Sequence, residues 1–453
     1  MTNMDLLIKN VSVFLPTGLT NAHIICHRGK IVAINTEVED ITAKEVLDGQ
    51  GKVLLPGIID SQVHFREPGL EHKETIEAGT RGAVLGGVTS IIEMPNTAPP
   101  TTSVEALQQK LAIAEQTAWC HYGFYAGASA DNTALLPTLE ATPGCAGIKV
   151  FMGSSFGSLL VDDDQVLRNT LSTCKRRIAV HAEDEARLKE RKHIAEASGI
   201  VLSHPEWRDV ESALIATQKV VSIAADTGAK LHLLHISSAE EMSYLREQKR
   251  RLPEHQVTVE TLPQYLHFHA PSCYIERGTR VQMNPPIRER YHQDAIWDAI
   301  HDGTVDVMAT DHAPHTLHEK QQAYPTSPSG MPGVQTLLPV LLNQVHLGKL
   351  TLDKLVDLVC EGPCRVLGIQ NKGRIQVGYD ADFVLVDLEK QHTIDDQQIA
   401  SQSGWTPYHG DTVTGWPIAT VISGEVVMQN GQLIKRPQAM PLSFKTQDIN
   451  LIV

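Results

Sequence analysis

The sequence predicts an α/β fold, a (β/α)8 TIM barrel joined to a small β-sandwich domain formed by both termini. Three observations predict it. Between Leu54 and Asn371, eight strand-like apolar runs alternate with helical stretches, the pattern of βα units around a closed parallel sheet. Both ends of the chain are β-rich with Gly-containing turns, and the termini of a domain often lie close together. No GxGxxG follows the first strand of the central region, which weakens the dinucleotide-binding version of the alternative, a doubly wound open sheet.

The elements follow in order. Asp5–Leu15, Ala22–Cys26 and Lys30–Ile34 read as short strands separated by turn residues such as Gly18 and Gly29. The eight barrel strands are expected at Ile58–Phe65, Val88–Met94, His121–Ala126, Gly147–Phe151, Ile178–His181, Leu231–Ile236, Gln256–Thr261 and Val305–Thr310. Helical stretches between them include Ser103–Gln116, Val210–Thr227 and Tyr291–Ile300. Gly373–Asp387 and Ala419–Gln429 complete the terminal domain as strands with glycine turns. The expected division is residues 1–53 for the first part of the sandwich, 54–370 for the barrel and 371–453 for the second part.

Composition removes several classes. Of 453 residues, 42% are hydrophobic and 20% charged, too apolar for a disordered chain and enough for a large core. Lys+Arg number 39 against 53 Asp+Glu, a net charge of −14, which argues against nucleic acid or an anionic membrane as partner. No apolar run reaches the roughly 18 residues of a membrane span, and the start, MTNMDLLIKN, lacks the basic patch and apolar run of a signal peptide. The seven cysteines are scattered without a CxxC pair; six read as small buried hydrophobes in a reduced, cytoplasmic setting. Histidine is plentiful at 21, but a total does not separate metal ligands from surface residues.

Position does more. A barrel keeps its chemistry at the C-terminal ends of its strands. The first strand ends in DSQVHFREPG, and the period of two puts Gln62 and His64 on one face, with Arg66 at the rim. The fourth carries Lys149 inside an apolar run, where a charged ammonium is costly and requires an anionic partner, a lowered pKa or chemical modification, unless it reaches the rim. The fifth and sixth end in His181 and His235, and the eighth in Asp311 within TDHAPH. Each residue alone is as readily structural. Together, imidazoles and a carboxylate form the donor set that borderline divalent metals such as zinc favour.

The motifs carry a resemblance. DSQVHFREPG (60–69), GGVTSIIEMPNTAPP (86–100), GIKVFMGS (147–154), VHAE (180–183), HISSAEE (235–241), MNPPIRE (283–289), TDHAPHTLHEK (310–320) and SGMPGVQTLLP (329–339) stand in the order of the amidohydrolase superfamily. Within it the chain most resembles the class I dihydroorotases. The resemblance implies zinc, one or two ions per chain. It implies His64, Lys149 (carboxylated and bridging), His181, His235 and Asp311 as metal residues, with Asp311 also the catalytic proton carrier. It implies Arg66, Asn96, Asn284 and His315 as holders of the dihydroorotate carboxylate and ring, with the backbone of the Gly330–Gly333 segment, ending in Gly333, on the ring. The implied reaction is the zinc-dependent, reversible cyclisation of N-carbamoyl-L-aspartate to L-dihydroorotate in pyrimidine biosynthesis. The implied partner is that small-molecule substrate, and a homodimer matches family practice.

Two departures stand out. The family's HxH has Gln62 in its first position, a weaker ligand than imidazole, and Leu262–Leu266 lacks a frequent Pro-His-His run. Two further readings stand beside dihydroorotase. One is an allantoinase- or hydantoinase-type cyclic amidohydrolase. The other, motivated by Gln62, is an inactive dihydroorotase-like structural partner of aspartate transcarbamoylase. Other features take structural readings: Asp162–Asp164 as a solvated helix start, Lys189–His193 as mixed charge on a helix, Arg374 and Asp382 as parts of the terminal domain. The segment Tyr324–Gly333 reads equally as a mobile loop over the pocket or as a rigid Pro-rich connection.

Overall fold

A computed structural model describes residues 4–37, 41–153 and 157–445. The N-terminal residues form β1 (Met4–Leu15), β2 (Gly18–His27), β3 (Lys30–Asn35), β4 (Ala43–Asp48) and β5 (Val53–Pro56). The barrel strands are β6 (Ile58–Val63), β7 (Val88–Glu93), β8 (His121–Gly127), β9 (Cys145–Phe151), β10 (Ile178–His181), β11 (Leu231–Leu233), β12 (Val257–Thr261) and β13 (Val307–Met308). After the barrel come β14 (Phe383–Thr393), β15 (Thr412–Ile422), β16 (Glu425–Gln429) and β17 (Gln432–Leu433).

All eight expected barrel strands are present, each parallel to its neighbour from β6 to β13. Every residue of β6, β8 and β9 is buried. Helices cover the outer face and side chains fill the inner one, so these strands read as near-continuous apolar runs. The sheet closes at the C-terminal ends, where Val63 bridges His312 and the His64 N–H donates to the His312 carbonyl at 2.7 Å. Closure therefore joins the ends of the first and last strands beside His64 and Asp311. The expected helices appear as Val104–Thr117, Val210–Thr227 and Arg290–His301. Ser103 and Asp209 cap the first two by accepting from the Ala106 and Ser212 amides, which satisfies donors the helix itself leaves open.

Both termini build one nine-stranded sheet, ordered β17-β16-β15-β14-β5-β1-β2-β3, with β4 on β1. The sheet folds on itself, because Gly29 in the β2–β3 turn lies against Ser423 in the β15–β16 turn, far away in strand order. Its own apolar core includes Leu6, Ile8, Ile24, Phe383, Leu385 and Val421.

Three boundaries move. The first part of the sheet runs past 53 to Pro56, because β5 pairs with both β1 and β14. The expected strand Gly373–Asp387 begins only at Phe383; Gly373 and Gly378 hold φ of 83° and 91°, which turns the chain before it can extend. Nor do residues 371–453 belong wholly to the sheet. The stretch between β14 and β15 reaches back to the barrel mouth, where Trp405 Nε1 donates to the His315 carbonyl at 2.8 Å. The stretch after β17 returns under the barrel floor, where Leu442 is hydrogen-bonded to the Tyr122 carbonyl at 2.7 Å and packs with Ile59 and Ile92.

The structural readings of lesser features hold in place. Asp163 caps the helix Asp164–Thr173, and Lys189–His193 lies on the helix Glu185–Ser198. All seven cysteines are free and six are buried. Among the described residues, no helix is long and apolar enough to cross a membrane.

Candidate active site

The C-terminal ends of the barrel strands surround a cavity of about 430 Å3. Gln62, His64, Arg66, Asn96, Lys149, His181, His235, Asn284, Asp311 and His315 all line it. Residues expected from seven separated stretches of sequence thus meet in one volume. Gly333 is the exception. Its N–H donates to His312 Nδ1 at 3.0 Å, because the chain at Met331 pairs with His312 and carries Gly333 behind the cavity wall. Gly330 lines the cavity instead. A Cβ there would stand 2.4 Å from the Ala313 carbonyl and 3.2 Å from the His315 ring.

Gln62 and His64 share a strand face, as their spacing requires, and converge on one oxygen. Gln62 Nε2 and His64 Nε2 each lie 2.9 Å from Asp311 Oδ1. His64 Nδ1 lies 2.6 Å from Asn96 Oδ1. An amide oxygen only accepts, so Nδ1 carries the proton and the Nε2 lone pair faces the carboxylate. Burial raises the Asp311 carboxyl, but its close contact with His64 and the neighbouring His235 and Lys149 bring it below its ordinary value.

His181 and His235 make a second facing pair. His181 Nδ1 lies 3.0 Å from His235 Nε2, and His181 Nε2 lies 2.7 Å from Glu183 Oε2. Glu183 in turn accepts from Arg208 Nε at 3.1 Å. Burial opposes ionisation of Glu183, yet Arg208 and the His181 hydrogen bond hold it down to about 2. A carboxylate on Nε2 places the His181 proton there and turns the Nδ1 lone pair inward.

Lys149 completes the set. It is fully buried, its Nζ has no hydrogen-bond partner, and burial pushes its pKa down to about 7. His235 Nδ1 and Gln62 Oε1 are likewise buried without partners.

These features fit a divalent metal. His64 Nε2 faces Asp311 Oδ1 at 2.9 Å and His181 Nδ1 faces His235 Nε2 at 3.0 Å, imidazole and carboxylate atoms of the kind that divalent metals accept. Among the described residues no three His, Cys, Asp or Glu side chains converge as a metal cluster. Lys149 Nζ lines the same cavity without a hydrogen-bond partner, and as an ammonium it has no lone pair to offer a metal.

Three of these residues adopt left-handed backbone: Arg66 at φ 61°, His235 at 41° and Asp311 at 48°. Such conformations in non-glycine residues cost about 1 kcal/mol or more each and collect where function over-determines the geometry.

The sequence reading left out several wall residues. Glu183 was within reach, since it stands two positions after His181 on the same face. Trp207, Arg208 and Gln282 also line the cavity but come from the short helix His204–Trp207, its C-cap and the residue after a helical turn, with no local signal. His204 is buried nearby, with Nε2 3.0 Å from the Met283 carbonyl and Nδ1 3.1 Å from the Tyr324 hydroxyl. The Tyr324–Gly333 loop is anchored: Lys320 Nζ donates to the Pro328 carbonyl at 2.7 Å, and Gln282 Nε2 to the Ser327 carbonyl at 2.9 Å. That favours the rigid connection over the mobile one.

A closed parallel barrel with ionisable side chains gathered at its strand ends has the architecture of the TIM-barrel enzymes. The chain belongs to the amidohydrolase family, whose model matches residues 53–427. It is 33% identical to a dihydroorotase from Methanosarcina mazei, over 96% of each chain. It is 32% identical to an allantoinase from Deinococcus radiodurans, over 96% of this chain and 98% of that one. The solved L-hydantoinase (dihydropyrimidinase) from Arthrobacter aurescens superposes with a TM-score of 0.92 at 28% identity, covering 96% of this chain and 99% of that chain.

Proposed function

We propose that this protein is a metal-dependent cyclic amidohydrolase acting as a dihydroorotase. The observation that carries the reading is Arg66. Its guanidinium is buried in the cavity wall, with Nη2 3.4 Å from His315 Nε2. A buried guanidinium facing a pocket is suited to a carboxylate, which it binds with a two-pronged geometry lysine does not reproduce. L-dihydroorotate carries such a carboxylate next to the ring.

His181 Nδ1, His235 Nε2 and a carboxylated Lys149 would hold one zinc ion, and His64 with Asp311 would contribute to a second, weaker position where Gln62 offers only an amide. A bound zinc lowers the pKa of its water from 15.7 to about 7 and so supplies hydroxide at neutral pH. A lysine with a pKa near 7 has neutral amine available to take up carbon dioxide, and the product is the anionic donor the site lacks. Arg66 and His315 fix the substrate carboxylate, and Asn96 and Asn284 orient the ring. Asp311, already ionised, takes the proton of the attacking water and delivers it to the leaving ring nitrogen.

The deciding experiment compares turnover of L-dihydroorotate, allantoin and hydantoin by the purified protein, with metal content measured on the same sample. Turnover of dihydroorotate with at least one metal per chain supports the reading. Turnover of hydantoin or allantoin alone, which the L-hydantoinase and allantoinase likenesses favour, replaces it. No turnover and less than one metal per chain makes the protein a structural homologue.

A further inference from the structure

The proton positions on His315 are fixed by its neighbours. Its Nδ1 lies 3.0 Å from Lys73 Nζ, and its Nε2 lies 3.0 Å from the Ser329 carbonyl. An ammonium only donates and a carbonyl only accepts, so Nδ1 must be bare and Nε2 must carry the hydrogen. Lys73 is itself positioned: Glu319 Oε1 stands 3.1 Å from its ammonium. Glu319 in turn closes a capping box with Thr316, accepting from the Thr316 amide at 2.9 Å. Thr316 directly follows His315, so the device folds back on the residue it controls. The Trp405 indole holds the His315 backbone through its carbonyl.

The consequence lies on the pocket side. Arg66 Nη2, a donor only, stands 3.4 Å from His315 Nε2, which Lys73 forces to be a donor as well. With its Nε2–H committed to Ser329, His315 cannot accept from Arg66, so Nη2 keeps its hydrogen for a ligand in the cavity, and the guanidinium charge favours a carboxylate over an uncharged carbonyl. Burial, then Arg66, Lys73 and Lys320, hold the His315 ring well below its usual pKa, consistent with a neutral imidazole.

We propose that Lys73 is a positioning residue that locks His315 in the Nε2–H tautomer, so that His315 cannot take up the Arg66 hydrogen and the free guanidinium selects substrates bearing a carboxylate over uncharged cyclic amides. The selectivity rests on the dihydroorotase reading; the tautomer does not.

The test uses the full-length metal-loaded protein and three variants: Lys73→Met, Lys73→Gln and Lys73→Arg. Nitrogen-15 NMR of the imidazoles, with His315→Gln for assignment, reads the tautomer directly. Wild type and Lys73→Arg are expected to show Nε2–H alone. Lys73→Gln, whose amide both donates and accepts, is expected to show both tautomers, and Lys73→Met to lose the preference. For L-dihydroorotate, Lys73→Met is expected to raise KM about ten-fold with kcat within about two-fold, the size of one charge-assisted hydrogen bond lost from ground state and transition state alike, and Lys73→Arg to restore it. A purely structural role would lower kcat or the folded fraction in all three variants. The inference is overturned if Lys73→Met or Lys73→Gln keeps His315 as Nε2–H alone, or if KM is unchanged while the tautomer shifts. Absence of dihydroorotate turnover in wild type would defeat the functional reading, with the NMR result still deciding the tautomer.

Discussion

Arg177 and Lys149 are both buried cations of one barrel, near opposite ends, and their surroundings differ in kind. At the floor, Arg177 donates through Nε to the Val366 carbonyl at 2.8 Å, through Nη1 to the Leu231 carbonyl at 2.6 Å, and through Nη2 to the His255 carbonyl at 2.7 Å. At the start of another barrel strand, Asp382 joins His121, Lys372 and the Ser423 amide, tying that strand to the terminal sheet. Toward the mouth, Lys149 Nζ has no hydrogen-bond partner and lies only over the Phe151 ring at 4.5 Å, and His235 Nδ1 and Gln62 Oε1 have no partner either. The chain satisfies its buried charge where the charge is architectural. It leaves Lys149 open at the mouth, beside the imidazoles and carboxylate that line the cavity, although an unpaired buried polar group costs about 1–3 kcal/mol.

The sharpest way to break that contrast is at the mouth. Asp311→Asn is expected to lower kcat by about 10²–10⁴-fold while leaving circular dichroism unchanged; retained turnover would remove Asp311 from proton transfer. Next comes an exchange of the two cations. Arg177→Met strands several carbonyls and is expected to lower unfolding free energy by about 3 kcal/mol, whereas Lys149→Met is expected to be neutral or stabilising in the metal-free protein yet without turnover. Denaturant titrations of both check this, and equal destabilisation would erase the distinction.

A third prediction concerns acid. Burial alone would raise the Asp382 carboxyl, but the Lys372 and His121 charges outweigh it and hold it far below the usual range. A depressed folded value gives stability that is present above the unfolded carboxylate value of about 3.9 and lost as pH falls through the folded one. The Tm of wild type should therefore exceed that of Asp382→Asn at pH 7, with the gap narrowing below about pH 4; a gap independent of pH would show that the floor owes nothing to this charge. The smallest effect is expected from Gln62→His. Imidazole in place of the amide should raise metal content at the His64–Asp311 position without altering the fold, and unchanged metal content would show that position 62 does not act on a metal.

Much of this was legible in the chain. The eight barrel strands stood where the apolar runs placed them, because a strand covered on both faces leaves a continuous hydrophobic trace. The strand-end residues His64, Lys149, His181, His235 and Asp311 were marked by their position in those runs. The edges were less legible. β4 went unseen, since Ala43–Asp48 is half exposed and polar, and β14 began ten residues late, behind two glycine turns. Glu183 lay on a readable face, but Lys73, His204 and Arg208 did not, because their roles depend on partners 25 to 242 residues away.

The sequence by itself determined the barrel, the pairing of its two ends and the donor types at the strand ends, all consequences of local periodicity and residue chemistry. Only the tertiary structure decided which lone pairs face each other, that Gln62 and His64 share one oxygen of Asp311, that Gly333 sits behind the wall, and that Lys73 governs His315. The physical reason is that strand periodicity acts over a few residues. A hydrogen bond or a shared charge acts over about 3 Å, whatever the distance along the chain, and that proximity exists only once the barrel has closed.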